Sequence, residues 1–397
     1  MIKFHQQHRT VLILAVAQSL ANSCMSILGT VAALTGKMLA ADPRLATVPL
    51  GLQFILTMSA TIPASHLMHK LGRRNAFYLG AMIGLLGGGL SMAAAYLGSF
   101  ILFCFGNAIM GASNAFFLHF RFAAAEAADD AFRPKAVSLV LAGGVVAAVV
   151  GPTLASVGTN LFAPYTFLGS YLFVALACLA MFPVLWSVHA PPPAASEVAG
   201  PQRPLSEIAR QPVFLAALLA ATFGYGTMVF VMTATPLAMV ACGFPVGDVA
   251  YVISWHILGM FAPSFVTGHL IRRFGDRNVL LAGAFCYLGT VGFGLAGIEI
   301  QHFWLSLVLL GTGWNFLFIG GTALLTKCYR PAERAKVQGF NDFLIFSGVA
   351  LCSLIAGVIE QSWGWTFVVW GALVPTLLII AAVAWGAPGR QAAKAAV

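Results

Sequence analysis

Apolar residues run along this chain in long unbroken stretches separated by short polar groups. Twelve stretches reach spanning length, at approximately 11–34, 48–68, 75–96, 100–121, 136–158, 164–188, 213–240, 248–271, 278–298, 302–326, 336–358 and 365–387. A helix that crosses a bilayer needs about 20 mostly apolar residues. The stretches are continuous and filled with Leu, Ala, Gly and Phe rather than alternating with polar residues, which predicts helices and not β-barrel strands. Helices also satisfy their own backbone groups in lipid. The expected fold class is therefore an all-α membrane protein with twelve transmembrane helices.

Composition agrees with this pattern. Of 397 residues, 60% are hydrophobic and 8% charged, whereas soluble domains carry roughly a quarter charged residues. A soluble globular enzyme is excluded. The net charge of +9 does not point to nucleic acid, because the 21 Lys and Arg residues lie in short groups between the apolar runs. With the N-terminus in the cytoplasm, 19 of them fall on the cytoplasmic side and only Lys37 and Arg44 fall outside. The positive-inside rule then places both termini in the cytoplasm. The first apolar run, preceded by Lys3 and Arg9, leads straight into further spans without a convincing cleavage site, so it is read as the first helix and not as a signal peptide. Seven cysteines, at 24, 104, 178, 242, 286, 328 and 352, form no CxxC and no close pair, so neither a zinc framework nor a disulfide scaffold is expected.

One connection stands apart. From Pro191-Pro192-Pro193 to Gln211 the chain is polar and Pro-rich, as an interdomain linker is. It divides the chain into an N-terminal six-helix bundle (1–190), a cytoplasmic linker (191–211) and a C-terminal six-helix bundle (212–397). The halves echo each other about 200 residues apart, as duplication of a six-helix unit would give. Gly72-Arg73-Arg74 corresponds to Phe274-Gly275-Asp276-Arg277, and Asn114 followed by Arg133-Pro134 corresponds to Asn315 followed by Arg330-Pro331.

Ionisable residues deep in a span are functional candidates by default, and few occur. Asp342 in span eleven is the clearest buried carboxylate and the candidate for proton coupling. Glu126, Asp129 and Asp130, beside Arg121, read as a solvated charge cluster. Soft donors give a further signal. Met228, Met232, Met239 and Cys242 fall within a stripe of roughly 80° on span seven. His256 and Met260 follow on span eight. At about 1.5 Å per residue, Met232 falls level with His256 and Met228 with Met260. Three thioethers and an imidazole suit Cu(I) and not Mg or Ca. Ordinary packing by Met and a histidine hydrogen-bonded to a neighbouring helix are the alternative. Cys242 and Met239 extend the stripe outward, and His66, Met68 and His69 at the cytoplasmic end of span two form a candidate exit, or else a polar helix cap.

The whole chain resembles the major facilitator superfamily. Ser65-His66-Leu67-Met68-His69-Lys70-Leu71-Gly72-Arg73-Arg74 is similar to the loop motif after span two of that superfamily, with His69 where an Asp is usual. The resemblance implies two helical bundles rocking about a site at the bilayer midplane. Met228-x-x-x-Met232 and His256-x-x-x-Met260 resemble the paired motifs of its CcoA-like branch, which includes bacterial copper importers. The segments 233–239, 256–264 and 313–322 are also similar to this branch. What this implies is an inner-membrane importer that moves Cu(I) from periplasm to cytoplasm for cytochrome oxidase assembly. Met228, Met232, His256 and Met260 would be its metal site. Copper would be substrate, with no resident cofactor, and the expected partners are the lipid bilayer and a cytoplasmic copper acceptor, with the protein itself a monomer. The branch also contains riboflavin transporters, so a small organic solute is the alternative. Gln18, Asn22, Asn114, Trp314 and Asn315 would then line its cavity, or else bond helix to helix. A non-transporting copper sensor is a third reading, opposed by the lack of a soluble domain. No catalytic constellation or phosphate loop stands out, and Gly84 to Gly89 lie inside a span, where small residues let helices approach.

Overall fold

The computed structural model describes residues 2–129, 132–188 and 201–386. Among these, eleven helices are long and apolar enough to cross a membrane, and a bent pair makes a twelfth span. Spans one to six run Gln7–Leu39, Pro43–Leu71, Arg73–Leu97, Phe100–Ala127, Lys135–Gly158 and Leu168–Leu185. Spans seven to twelve run Pro212–Ala241, Val246–Phe261 with Ser264–Phe274, Asp276–Ala296, Ile300–Leu325, Lys336–Trp363 and Trp365–Gly386. The predicted fold class is observed. Of the predicted linker, the Pro191-Pro192-Pro193 stretch lies outside the described residues; Leu205–Ala209 forms a short helix leading to span seven.

Span eight departs from a simple rod. It breaks between Phe261 and Ser264, and its two parts are bent by 43°. Pro263 has no N–H to donate to the Gly259 carbonyl, and the break before Ser264 also leaves the Met260 carbonyl without its usual partner. Asn315 of span ten supplies one, donating from Nδ2 to the Met260 carbonyl at 2.6 Å and to Ser264 Oγ at 2.6 Å. Its Oδ1 accepts from Thr267 Oγ1 at 2.6 Å. The side chain therefore holds helix to helix across the break.

The two-fold echo is also visible in the fold. Gly72 and Gly275 take the left-handed conformation, at φ +78° and +86°, and close spans two and eight. The next residue opens the following span. Arg73 pairs with Glu126 at the end of span four, and Asp276 pairs with Lys327 just after span ten. The acidic group after span four is solvated, with Asp129 exposed and Glu126 partly exposed, and it is also tied down. Glu126 is held by Arg73, and Asp129 accepts from Gln7 Nε2 at 3.0 Å and from the Phe132 N–H at 2.8 Å. Asp130 lies outside the described residues.

Buried apolar side chains from Ile208 to Val383 gather into one core, joined by Ala148 of span five. The first half contributes two smaller cores, and Leu237 of span seven reaches into one of them. The halves join at the end that carries Lys37 and Arg44. There Thr47 Oγ1 donates to the Leu354 carbonyl at 3.3 Å and accepts from the Gly357 N–H at 3.1 Å. Gly51 lies flat against Leu354, where a Cβ would come within 2.3 Å of the Leu354 side chain. Nearer the Lys- and Arg-rich end, Asp342 is exposed on span eleven although it lies within electrostatic reach of Arg121 on the other half.

Candidate functional site

The four predicted metal ligands are positioned by different neighbours. His256 is fully buried, and its Nδ1 lies 2.8 Å from the Leu307 carbonyl of span ten. A carbonyl only accepts, so Nδ1 carries the proton. Nε2 is left buried without a partner. The two helices touch closely here, since a Cβ on Gly311 would sit 2.3 Å from the His256 carbonyl oxygen. Met232, by contrast, is directed at span one, where a Cβ on Gly29 would stand 3.3 Å from its terminal methyl. Met228 and Met260 belong to the C-terminal core. The imidazole therefore engages span ten while the Met232 thioether abuts span one. Among the described residues, no three His, Cys, Asp or Glu side chains gather in a way that suits a metal ion.

The auxiliary residues have different surroundings. Met239 is buried in the C-terminal core, while Cys242 is exposed just past the end of span seven. Partial burial, and then the Glu360 carboxylate, push the Cys242 thiol above its ordinary range, which opposes a reactive thiolate. Met68 is packed in the N-terminal core while His66 and His69 are exposed, so the candidate exit trio shares no common face.

A different constellation forms where spans seven, eight, ten and eleven approach one another. Trp314 and Phe318, one turn apart on span ten, stack with ring centroids 5.1 Å apart and an interplanar angle of 8°. Tyr225 of span seven meets both edge-on, at 5.3 Å and 5.6 Å. Phe346 of span eleven lies 6.1 Å from Tyr225, and Phe261 of span eight 6.3 Å from Trp314. Offset and edge-on pairs are the favoured aromatic geometries. Trp314 Nε1 is buried and has no hydrogen-bond partner.

Charge borders these rings. Asp342 lies one helical turn from Phe346 on span eleven. Arg121 of span four is within electrostatic reach of both Asp342 and Tyr225, and its Nε is buried without a partner. On span one, Gln18 donates to Asn22 Oδ1 at 2.9 Å, and both side chains are half-buried. Trp314 and Asp342 are among the sequence candidates; Tyr225, Phe261, Phe318 and Phe346 are not. The i, i+4 aromatic pair on span ten and the Phe one turn after Asp342 were signals available in the chain. They were masked by 31 Phe residues, most of which read as ordinary lipid-facing or packing groups.

Twelve spans in two pseudo-equivalent sets, one of the spans a helix broken near its middle, with opposite charges of the two halves within electrostatic reach, define a polytopic membrane transporter. The chain belongs to the Major Facilitator Superfamily, whose family model matches residues 12–254 and again 224–396. It is 41% identical over 366 residues to the riboflavin transporter RfnT of Brucella anthropi, covering 91% of this chain and 92% of that protein. It is also similar to two uncharacterized MFS-type transporters of Bacillus subtilis. YdeG is 30% identical over 95% of this chain and 91% of its own length, and YddS is 28% identical over 95% and 90%. The protein is accordingly a multi-pass protein of the bacterial inner membrane. The resemblance to the copper-importing branch does not hold at this level. A relative this similar across nine-tenths of both chains carries riboflavin, which overturns the expectation of copper import.

Proposed function

We propose that this protein carries riboflavin, or a similarly flat heteroaromatic solute, across the inner membrane by alternating access of its two halves. The observation that carries the proposal is the 41% identity, over nearly the full length of both proteins, to the Brucella anthropi riboflavin transporter. The aromatic group of Tyr225, Trp314, Phe318 and Phe346 supports it, because a fused ring system gains binding energy by lying against such faces. Arg121 and Asp342 add polar groups at the border of the rings. A few placed polar groups within an apolar lining are what small-molecule sites use to orient a ligand. On this reading Met228 and Met260 are packing residues, Met232 sits at the contact between the halves, and His256 ties span eight to span ten.

The test is uptake of radiolabelled riboflavin and of copper, side by side, in a bacterium lacking its own carriers for both. Riboflavin accumulation above the empty-vector control, with copper unchanged, is the expected result. Copper accumulation without riboflavin uptake, at confirmed membrane abundance, would remove the proposal.

A further inference from the structure

We infer that Arg121 and Asp342, one from each half of the protein, read the imide edge of a flavin-like ring whose face lies against Tyr225, Trp314 and Phe318. The inference rests on the flavin reading above and states how such a solute is held.

Stacking alone does not orient a ring. The faces of Trp314, Phe318 and Tyr225 reward any planar π-system, whichever way it is turned. Orientation has to come from hydrogen bonds to the edge, and a flavin has one edge with a fixed code. Its pyrimidine ring presents a carbonyl, an N3–H and a second carbonyl, which is acceptor, donor, acceptor. A site that reads this edge needs donors for the carbonyls and an acceptor for the N3–H between them.

The residues bordering the aromatic group supply both kinds. A guanidinium only donates and an ionised carboxylate only accepts. Arg121 has an Nε with no partner in the protein, and Trp314 Nε1 is a second free donor. Asp342 is placed one turn from Phe346, is exposed, and lies within electrostatic reach of Arg121. Arg121 comes from span four and Asp342 from span eleven, so a ring held by both bridges the two halves. The edge is then fully recognised only when the halves come together around the solute, and this makes binding sensitive to the same motion that moves the site across the membrane. The dimethylbenzene ring, at the opposite end of the ring system from the imide, is left to point away from this pair.

The test compares riboflavin with N3-methylriboflavin, in which the central donor is blocked, in cells that lack their own flavin carrier. Wild-type protein, Asp342→Asn and Asp342→Ala are each given both flavins, and the ratio of the two uptake rates is read within each variant, so differences in abundance cancel. The wild type is expected to prefer riboflavin by about tenfold or more, as sites built around a hydrogen bond do. Asp342→Asn keeps most of that preference, because the carboxamide oxygen still accepts. Asp342→Ala brings the two rates within about twofold of each other. If Asp342→Ala does not reach the membrane, Asp342→Val gives the same comparison. For Arg121 the probes are the 2-thio and 4-thio analogues, whose sulfur is a weak acceptor. Arg121→Lys is expected to keep the preference for oxygen over sulfur at one of these positions, and Arg121→Ala to lose it. Equal uptake of riboflavin and its N3-methyl derivative by the wild type overturns the inference and leaves riboflavin transport standing. An Asp342→Ala ratio equal to that of the wild type also overturns it. Absence of wild-type riboflavin uptake removes the flavin reading itself.

Discussion

Arg73 and Asp276 occupy the same place in the two halves, immediately after a left-handed glycine, and carry opposite charges. Each finds its counter-ion at the far end of the next span, Arg73 on Glu126 and Asp276 on Lys327. The duplicated geometry has been kept while the signs were exchanged. The two pairs differ in depth, however. The Arg73 side chain is 3% exposed, whereas Lys327 is 52% exposed.

That difference sets the first prediction. Glu126→Ala leaves a buried guanidinium without its counter-ion, and breaking such a pair destabilises by about 3–5 kcal/mol. Lys327→Ala removes the exposed member of its pair and is expected to change stability by about 1 kcal/mol or less. Thermal unfolding of the two purified variants in the same detergent checks the order. Equal losses would mean that burial does not distinguish the two pairs.

The second concerns Asn315. Its amide bonds to the Met260 carbonyl, Ser264 Oγ and Thr267 Oγ1, all at the bend of span eight. Asn315→Leu keeps the approximate volume and removes every one of these bonds. The expected loss is about 1–2 kcal/mol, because the Met260 carbonyl at the helix break is left unsatisfied away from water. A lowered midpoint of thermal unfolding, with riboflavin uptake falling in proportion to abundance, is the expected signature of a structural role.

The twelve spans are legible in the chain because a lipid-exposed helix must be apolar over its whole length, and that requirement is written residue by residue. The duplication is legible for a similar reason, since Gly72 and Gly275 are needed where the backbone turns left-handed. The site is not legible to the same degree. The spacing of Met228, Met232, His256 and Met260 gives their positions along two helices, but it does not say which neighbour each helix face meets. Span eight rests on span ten through Gly259 and Gly311, which turns His256 toward Leu307. Span seven meets span one, which brings Met232 to Gly29. Trp314, Tyr225 and Asp342 lie on three different spans more than 25 residues apart in the chain, and only the packing of the helices makes them neighbours.

The third prediction concerns the segment that leads into span seven. Glu333 is buried and accepts from Arg203 Nε at 2.9 Å and from the Arg203 and Arg330 N–H groups, each at 2.9 Å. The Arg203 guanidinium, followed by the Arg330 backbone N–H, holds the Glu333 carboxyl well below the usual carboxylate range. A depressed folded-state value means that the stabilisation is present in full above the ordinary Glu range, near about 4.3, and is lost as pH falls through the folded-state value. Wild-type protein is therefore expected to lose thermal stability below about pH 4 more steeply than Glu333→Gln, which has no carboxylate to protonate. Parallel curves for the two proteins would show that the Arg203 tie does not contribute.

The last prediction separates the stacking of a solute from the packing of the protein. Trp314 is 7% exposed and belongs to the C-terminal core, yet its Nε1 has no partner. If the indole served packing alone, Trp314→Phe would keep a ring against Phe318 and leave transport unchanged, and Trp314→Ala would lower abundance without altering the KM of the remaining protein. If the indole lies against the solute, the KM must change. Losing one aromatic platform for a planar base removes about 1–3 kcal/mol of stacking, and 1.4 kcal/mol is about tenfold in affinity. Trp314→Ala is therefore expected to raise the KM for riboflavin by about tenfold or more, while Trp314→Phe, which keeps a ring and loses only the Nε1 donor, raises it by a few-fold. Tyr225→Phe should fall close to the wild type, because it keeps the ring that meets Trp314 and Phe318. Initial uptake rates over a range of riboflavin concentrations, normalised to membrane abundance, distinguish these outcomes. A KM unchanged in Trp314→Ala would assign this ring to the core.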